Sequence, residues 1–449
     1  MLDKIKVLLS KGDERDVNAK KNIIVSFLLK GASVLTSLVV VPLTIDFVSP
    51  LQYGVWLTLS SIIGWMNFFD IGFANGLKNK LTAAIAHGDH AEAKILVSTS
   101  YMFVAVISLI LFVVFFILNN FLHWDSILNT GPGLAGELQT VTLMVFAIFS
   151  IQFILQLLHT ICIASHDVRL SSLIYFVGNL LGLIIVFILI KTIKGSLLAL
   201  SLSIGLSPLV ILLIFSIILF NTKYKYLSPN IRYVDYSKGR EIMSLSSKFF
   251  IIQIGLLFFY NVDNIIISQV AGPLAVTSYG IAYKYFNVIT MISGIIMTPF
   301  WPAFTEAHIK KDTDWIVKTV NNLQKYCIYI FILALVMLLL SSYLYKLWVG
   351  KDVSVPFALS AVLAIYVSFN TFRTIFVYYL NATNKLYIQV VVVLIAGIIN
   401  IPLGYFLGHH FGATGVILAT TILCIICGCF EIFQYKRLIN DNAHGIWNK

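Results

Sequence analysis

Three positively charged side chains lie within long apolar stretches of this 449-residue chain: Lys30, Lys284 and Arg373. An ionisable group inside a bilayer costs about 3 kcal/mol or more unless it is paired or wetted, so such residues usually serve a function. Guanidinium groups match the geometry of phosphate oxygens, and ammonium groups attract the same charge. The three cations therefore predict a cavity that binds an anionic substrate. The structural alternative is that Lys30 and Arg373 extend toward lipid headgroups.

One acidic residue of another apolar stretch, Asp263, lies beside Asn261 and Asn264. We interpret Asp263 as the candidate ion-coupling carboxylate, because its protonation responds to burial and to a neighbouring lysine. Lys284 lies at a similar predicted depth on the next stretch. The alternative interpretation is a purely structural ion pair between Asp263 and Lys284.

Polar and aromatic neighbours of these charges are candidates for the wall of the predicted cavity. Asn261 and Asn264 offer amide groups, and Tyr283 and Tyr285 flank Lys284. Aromatic faces and a few polar groups commonly line ligand sites. These four residues are therefore predicted to contact a sugar-containing substrate.

The chain shows no Walker A motif, glycine-rich nucleotide loop or nucleophile elbow. Cys424, Cys427 and Cys429 form a Cys-x-x-Cys-x-Cys run. A thiolate cluster would need compensating charge or histidine nearby, so we interpret these cysteines as small apolar residues of a helix. We predict no catalytic residue, no metal site and no cofactor, and expect the protein not to be an enzyme.

The elements that must position these residues are long apolar stretches. Hydrophobic residues make up 59% of the chain, charged residues 11%, and the mean hydropathy is +0.91. A helix needs about 20 apolar residues to cross the hydrocarbon layer. Twelve stretches meet this need, at about 23–48, 53–73, 96–118, 140–163, 170–190, 197–220, 249–270, 276–298, 324–345, 356–380, 386–408 and 413–434. The predicted fold is an all-α integral membrane protein with 12 transmembrane helices.

The twelve stretches form two sets of six. Tyr53-Gly54-Val55 and Tyr279-Gly280-Ile281 occupy corresponding places in the two sets. Because each set has an even number of spans, both have the same orientation, as in transporters built from two pseudo-symmetric lobes around a central cavity. The predicted organisation is a cytoplasmic N-terminal segment (1–22), an N-lobe (23–220), a basic cytoplasmic linker (221–248), a C-lobe (249–434) and a cytoplasmic tail (435–449).

The positive charges are distributed unevenly between the two ends of the spans. If the N-terminus is cytoplasmic, 24 of the 31 Lys and Arg residues lie in cytoplasmic segments and four lie in outer loops. This asymmetry predicts that both termini are cytoplasmic. The net charge of +11 is then explained by contact with anionic lipid, and no nucleic-acid partner is predicted.

Several short motifs occur in a characteristic order along nearly the whole chain. They are Pro42, Gln52-Tyr53-Gly54-Val55-Trp56, Phe69-Asp70-Ile71-Gly72-Phe73-Ala74-Asn75-Gly76, Asp263-Asn264-Ile265-Ile266-Ile267, Tyr279-Gly280-Ile281-Ala282-Tyr283 and Pro299. In these motifs the chain resembles the Wzx-type polysaccharide and O-antigen flippases of the multidrug, oligosaccharidyl-lipid and polysaccharide exporter superfamily.

The resemblance implies two six-helix lobes and transport by alternating access. The implied substrate is an undecaprenyl-pyrophosphate-linked oligosaccharide, moved from the cytoplasmic to the outer leaflet of a bacterial inner membrane. It also implies antiport coupling to H⁺ or Na⁺, contact with membrane lipid, and assembly proteins of lipopolysaccharide O-antigen or capsule biosynthesis as partners. Cavity cations of the family correspond in kind to Lys30, Lys284 and Arg373.

Two alternatives remain open. A small-molecule exporter of the same superfamily would exchange a cationic drug for protons or sodium, and its cavity should be acidic, whereas embedded cations outnumber embedded acids here. A membrane glycan polymerase or ligase can also have about a dozen spans. Those enzymes usually carry a large outer loop with Arg or His, and the predicted outer loops of this chain are short.

Overall fold

The fold is a set of α-helices, seen in a computed structural model of the protein. The structure describes residues 14–65, 73–130, 135–165, 167–240, 262–297, 300–350, 353–383 and 385–448. Within these ranges the regular elements are helices and no strand occurs. The predicted all-α fold is confirmed.

The first half contains nine described helices. They are α1 (Glu14–Val48), α2 (Pro50–Gly64), α3 (Phe73–Ala86), α4 (His90–Asn119), α5 (Trp124–Ile127), α6 (Ala135–Leu155), α7 (Leu157–Ala164), α8 (Val168–Thr192) and α9 (Leu197–Asn221). Two short 3₁₀ turns, Lys225–Leu227 and Ile231–Tyr233, follow in the basic linker.

The second half contains seven described helices and a terminal 3₁₀ turn. The helices are α10 (Asp263–Ala271), α11 (Pro273–Met297), α12 (Phe300–Ile309), α13 (Thr313–Val349), α14 (Phe357–Ala382), α15 (Tyr387–Phe411) and α16 (Ala413–Ile439). The 3₁₀ turn covers Gly445–Asn448.

Nine helical segments of the described ranges are long and apolar enough to cross a membrane. They are Leu28–Val48, His90–Asn119, Gly136–Ala164, Val168–Thr192, Leu197–Asn221, Thr313–Val349, Phe357–Ala382, Tyr387–Phe411 and Ala413–Ile439. Each coincides with a predicted span, so the protein is a multi-pass membrane protein. Of the other three predicted spans, 249–270 lies largely outside the described residues. The span 53–73 begins in α2 and continues into residues outside the described ranges, and 276–298 coincides with α11, which carries several Ser, Thr and Tyr residues.

Contacts between helices divide the chain into two compact units. Unit 1 comprises Met1–Ser49, Ile63–Trp124 and Pro132–Phe250. Unit 2 comprises Pro50–Ile62, Asp125–Gly131 and Ile251–Lys449. Two pieces of the first half, most of α2 and the segment after Trp124, thus pack with helices of the second half.

Close helix packing in unit 1 depends on small residues. In this unit α8 packs against α1 and α9, and α9 packs against α6. A Cβ added at Gly178 would lie 3.1 Å from the Cα of Pro208, so the backbones of α8 and α9 approach closely. Small residues allow this approach between membrane helices, where packing replaces the hydrophobic effect as the main attraction.

The described part of the basic linker is fixed to α4 by hydrogen bonds. The backbone N–H of Asn230 donates to Ser98 Oγ at 3.1 Å, and that of Asp235 donates to Thr99 Oγ1 at 3.0 Å. Hydrogen bonds from the hydroxyl and the backbone N–H of Ser237 hold the pKa of Asp235 below its usual value. Residues 230–235 of the linker are therefore held against α4 within unit 1.

Unit 2 is organised around α16, which packs against α14 and α15. The short helix α10 packs against α11, α15 and α16. A Cβ added at Gly404 of α15 would lie 3.1 Å from Ile266 Cδ1 of α10, so these two helices are in close contact. This contact places the first residue of α10, Asp263, against polar residues of α15 and α16.

Candidate functional site

Asp263 lies in a buried polar cluster at the start of α10. Its side chain is 4% exposed. Thr420 Oγ1 of α16 donates to Asp263 Oδ1 at 3.0 Å, and Asn400 Nδ2 of α15 lies 3.5 Å from the same oxygen. Thr420 Oγ1 also lies 3.2 Å from Asn400 Oδ1. Three helices therefore contribute one polar side chain each to this cluster.

The Asp263 cluster contains only oxygen and amide groups. Hard cations prefer carboxylate, amide-carbonyl and hydroxyl oxygens as ligands, and Asp263, Asn400 and Thr420 supply one of each kind. A buried carboxyl can instead accept a proton, because burial without a compensating charge disfavours ionisation. The cluster can thus exchange one small positive charge, either a cation or a proton.

The neighbouring Asn264 points to a different element. Asn264 Nδ2 donates a hydrogen bond to Ser61 Oγ of α2. Its other polar atom, Oδ1, is buried and has no hydrogen-bond partner among the described residues. The predicted third member of this group, Asn261, lies outside the residues that the structure describes.

Lys284 on α11 contacts a tyrosine rather than a carboxylate. Its Nζ donates to Tyr53 Oη at 3.2 Å and lies 5.9 Å from the centre of the Tyr53 ring. The Tyr53 side chain is 2% exposed. In the described part of the chain Lys284 and Asp263 form no ion pair with each other, so the structural alternative for this pair does not hold here.

The two predicted tyrosines flanking Lys284 have different surroundings. Tyr283 is exposed, and its ring lies 5.6 Å from that of the buried Tyr279. Tyr285 Oη donates to the carbonyl of Met337 at 3.0 Å, which ties it to α13. The structure thus leaves Tyr283 more accessible than Tyr285.

Arg373 forms a buried ion pair that the sequence analysis missed. Its Nε donates to Glu431 Oε2 at 2.6 Å, and its Nη2 donates to Glu431 Oε1 at 2.8 Å. Arg373 is 4% exposed and Glu431 is 1% exposed. Glu431 is the acidic residue near the end of the last predicted span, and that position is the signal that could have identified it.

A polar face of α16 connects the Asp263 cluster with this ion pair. Thr420, Cys424 and Glu431 are four and seven residues apart, so they share one side of the helix. Cys424 Sγ lies 3.8 Å from Asn370 Oδ1 and 3.8 Å from Arg373 Nη1. Cys424 therefore contributes to a polar face of α16 as well as to packing.

The third predicted cation, Lys30, lies on α1 of unit 1, and its side chain is exposed. The structure therefore brings Asp263 together with Asn400 and Thr420, and Arg373 together with Glu431. It places Lys284 beside Tyr53. The predicted binding roles of Lys30, Lys284, Arg373 and Asp263 stay predictions.

A protein-family model described as "Polysaccharide biosynthesis protein" matches residues 19–308 of the chain. Among curated proteins, the chain is 22% identical over 408 residues to the "Putative O-antigen transporter" of Salmonella typhi, covering 89% of this chain and 92% of that protein. It is 23% identical over 362 residues to the "Putative O-antigen export protein" of Yersinia pseudotuberculosis, covering 77% of this chain and 79% of that protein.

Two solved structures share the fold along most of the chain. An inward-facing multidrug resistance MATE family transporter of the MOP superfamily matches with a TM-score of 0.76 and 14% identity, covering 94% of this chain and 98% of that one. The lipid II flippase MurJ in an inward closed conformation matches with a TM-score of 0.69 and 15% identity, covering 92% of this chain and 87% of that one.

Proposed function

Because the chain belongs to the polysaccharide biosynthesis protein family, we propose that it moves a lipid-linked oligosaccharide across the bacterial inner membrane. The family match confirms the resemblance to polysaccharide flippases, and it is the observation that carries the proposal. The multi-pass helical fold and the relatives named for O-antigen transport and export support it. The proposed substrate is an undecaprenyl-pyrophosphate-linked oligosaccharide, transported by alternating access from the cytoplasmic to the outer leaflet.

The diphosphate of this substrate needs a positive partner within the membrane, because an unpaired charge there is costly. Lys284 is the best placed of the predicted cations. Its hydrogen-bond acceptor, the Tyr53 hydroxyl, carries no charge, so the ammonium keeps its net positive charge. Arg373 is neutralised by Glu431 and can bind an anion only if that pair opens. Lys30 is exposed, and we assign it an additional contact with the substrate.

The Asp263 cluster is the proposed coupling site for H⁺ or Na⁺. Its carboxylate has uncharged hydrogen-bond partners, so a bound cation or proton would remove an uncompensated buried charge. Occupation of the cluster would then favour one conformation over another, which is the requirement for coupling. The oligosaccharide and the ion would move in opposite directions.

The test is glycan export in a bacterial host that lacks its own flippase. We expect wild-type protein to restore surface glycan and Lys284→Gln to lower the export rate about tenfold or more, because a charge-assisted contact with the diphosphate is lost. Lys346→Gln is the matched control, since Lys346 is an exposed lysine of α13 in the same unit. Both variants are quantified in the membrane fraction.

Two results would contradict the proposal. Export by Lys284→Gln at the wild-type rate would remove Lys284 from substrate binding. A wild-type protein that restores no glycan, but protects cells against cationic drugs, would favour the alternative of a small-molecule exporter.

A further inference from the structure

A cavity of about 590 Å³ lies at the end of unit 2 where α14 and α16 end and α13 begins. This volume is in the range of small-molecule sites, about 300–1,000 Å³. The cavity is remote from the Asp263 cluster along α16, because Thr420 is near the beginning of that helix and Ile439 is its last residue. None of the candidate site residues described above lines it.

Basic side chains from four different segments line this cavity. His308 is at the end of α12, Lys311 is in the turn before α13, Lys385 precedes α15, and His444 is in the C-terminal segment. One lining carboxylate, that of Asp441, opposes them. Two lysines and two histidines against one acid give the lining an excess of basic side chains, which favours an anionic ligand.

The turn that carries Lys311 is held in a defined conformation. Lys311 has a φ of +55°, and its N–H donates to the carbonyl of His308 at 3.1 Å. The next residue, Asp312, caps α13 by accepting a hydrogen bond from the N–H of Trp315 at 3.1 Å. Thr313, the first residue of the 37-residue helix α13, lines the cavity. The N-terminal end of this helix adds a positive partial charge beside the lysine.

The C-terminal segment also lines the cavity, and it is fixed to α16 through one buried side chain. Gln434 is 0% exposed, and its Nε2 donates to the carbonyls of Lys385 at 3.1 Å and Trp447 at 3.2 Å. Lys385 Nζ donates to the carbonyl of Asn448 at 2.7 Å. An ammonium group has three donors, so two of them remain for a ligand.

Part of the cavity lining is less polar. Ile316, Tyr379, Leu438 and Ile439 supply this part. The Tyr379 ring lies edge-on to the imidazole of His308, with 6.5 Å between ring centres. A ligand with a charged head and a less polar body matches this mixture of basic and apolar lining residues.

We propose that this cavity binds a phosphate group through Lys311, Lys385 and His444. Phosphate offers several acceptor oxygens, and lysine is a common partner for it. The phosphate belongs either to an anionic lipid headgroup or to a soluble phosphate compound. In the predicted topology this end of unit 2 faces the cytoplasm, where both sources occur.

The test uses the full-length protein purified in detergent and two probes. Inorganic pyrophosphate is titrated by calorimetry, and retention of phosphatidylglycerol against phosphatidylcholine is measured by native mass spectrometry. We expect the double variant Lys311→Gln/His444→Gln to bind the preferred probe about tenfold or more weakly. Lys318→Gln is the matched control on α13, because Lys318 is an exposed lysine that does not line the cavity.

The outcomes separate the two sources. Pyrophosphate binding that the double variant weakens supports a soluble ligand, and selective phosphatidylglycerol retention that it loses supports a lipid headgroup. The proposal is wrong if folded wild-type protein binds neither probe, or if the double variant binds as tightly as Lys318→Gln. Should the double variant unfold, Lys311→Asn serves instead, since Asn tolerates positive φ. The part of the binding that Lys311→Gln/His444→Gln loses should persist in Lys284→Gln, because Lys284 does not line this cavity, and this keeps the test independent of the proposed transport function.

Discussion

At the scale of single residues, the buried Arg373–Glu431 pair changes the role expected of Arg373. A guanidinium group inside a membrane span predicts anion binding. In this structure Arg373 Nε and Nη2 both donate to the carboxylate of Glu431, so that carboxylate is the anion that Arg373 binds. The loss of stability when one partner of such a pair is removed comes mainly from the buried charge that is left without a partner. An uncompensated buried charge costs about 3–5 kcal/mol, whereas removing both charges is often nearly neutral.

We therefore expect Arg373→Ala and Glu431→Gln each to destabilise the protein by about 3 kcal/mol, and Arg373→Met/Glu431→Leu by clearly less. Thermal unfolding in detergent measures these differences. If Arg373 also contacts the substrate, the double variant is stable in the membrane and fails to export glycan. Normal export by the stable double variant would show that the pair is purely structural.

The Asp263 cluster leads to a second prediction at this scale. Asp263→Asn preserves the shape of the side chain and removes its charge, so we expect transport that no longer responds to an imposed Na⁺ or H⁺ gradient. Thr420→Val removes one oxygen and should weaken the response about tenfold. Transport into vesicles at several Na⁺ concentrations and pH values measures both effects. An unchanged response of Asp263→Asn to both gradients would exclude this residue from coupling.

At the scale of elements, α16 organises unit 2 through one polar face. Its successive turns contact the Asp263 cluster through Thr420, the ion pair through Glu431, and the C-terminal segment through Gln434. Glu431 and Gln434 follow Thr420 by 11 and 14 residues, which is close to whole helical turns, so one side of a single helix can serve all three. Movement of α16 would therefore alter the Asp263 cluster and the ion pair together.

A second element contact, between α2 and α11 within unit 2, permits a sharp test. A Cβ added at Gly54 would lie 1.8 Å from the carbonyl oxygen of Pro273, and one at Gly280 would lie 2.4 Å from Leu57 Cδ1. Backbone atoms cannot yield to such a contact as a flexible side chain can. We expect Gly54→Ala to separate the two helices and to lower both the melting temperature and the export rate.

Gly31→Ala on α1 is the matched control for this prediction, because a Cβ there meets nothing within 4 Å. Alanine is favoured over glycine within a helix by about 0.5–1 kcal/mol, so this control should melt at the same temperature or slightly higher. Equal melting temperatures and equal export for Gly54→Ala and wild type would contradict the close approach of α2 and α11.

At the scale of the whole molecule, the distribution of charge predicts the orientation in the membrane. Lys and Arg outnumber Asp and Glu by 31 to 20, and most of them lie in segments predicted to be cytoplasmic. A C-terminal alkaline phosphatase fusion should therefore be inactive, and a green fluorescent protein fusion at the same place should fluoresce. A phosphatase fusion after Lys194, in a predicted outer loop, is the positive control. An active C-terminal phosphatase would reverse the proposed topology.

The sequence by itself determined the class of the protein, most of its spans and its family. Twenty apolar residues in a row cross the hydrocarbon layer as a helix whatever their neighbours are, because every backbone group must find its partner within the segment. For this reason the nine spanning segments lie where the hydropathy predicted them. Asp263, Lys284 and Arg373 are recognised from the sequence too, because they are ionisable residues within apolar stretches.

Only the tertiary structure decided which partner each of these residues contacts. Asp263 lies against Asn400 and Thr420, more than a hundred residues away, and Lys284 contacts Tyr53 of the first half. Such pairs depend on the rotation and packing of helices about one another, and small residues at the contacts set both. Hydropathy carries no information about that rotation. Local sequence thus specifies where the chain is helical and buried in lipid, while the packing of distant helices determines which charges are neutralised.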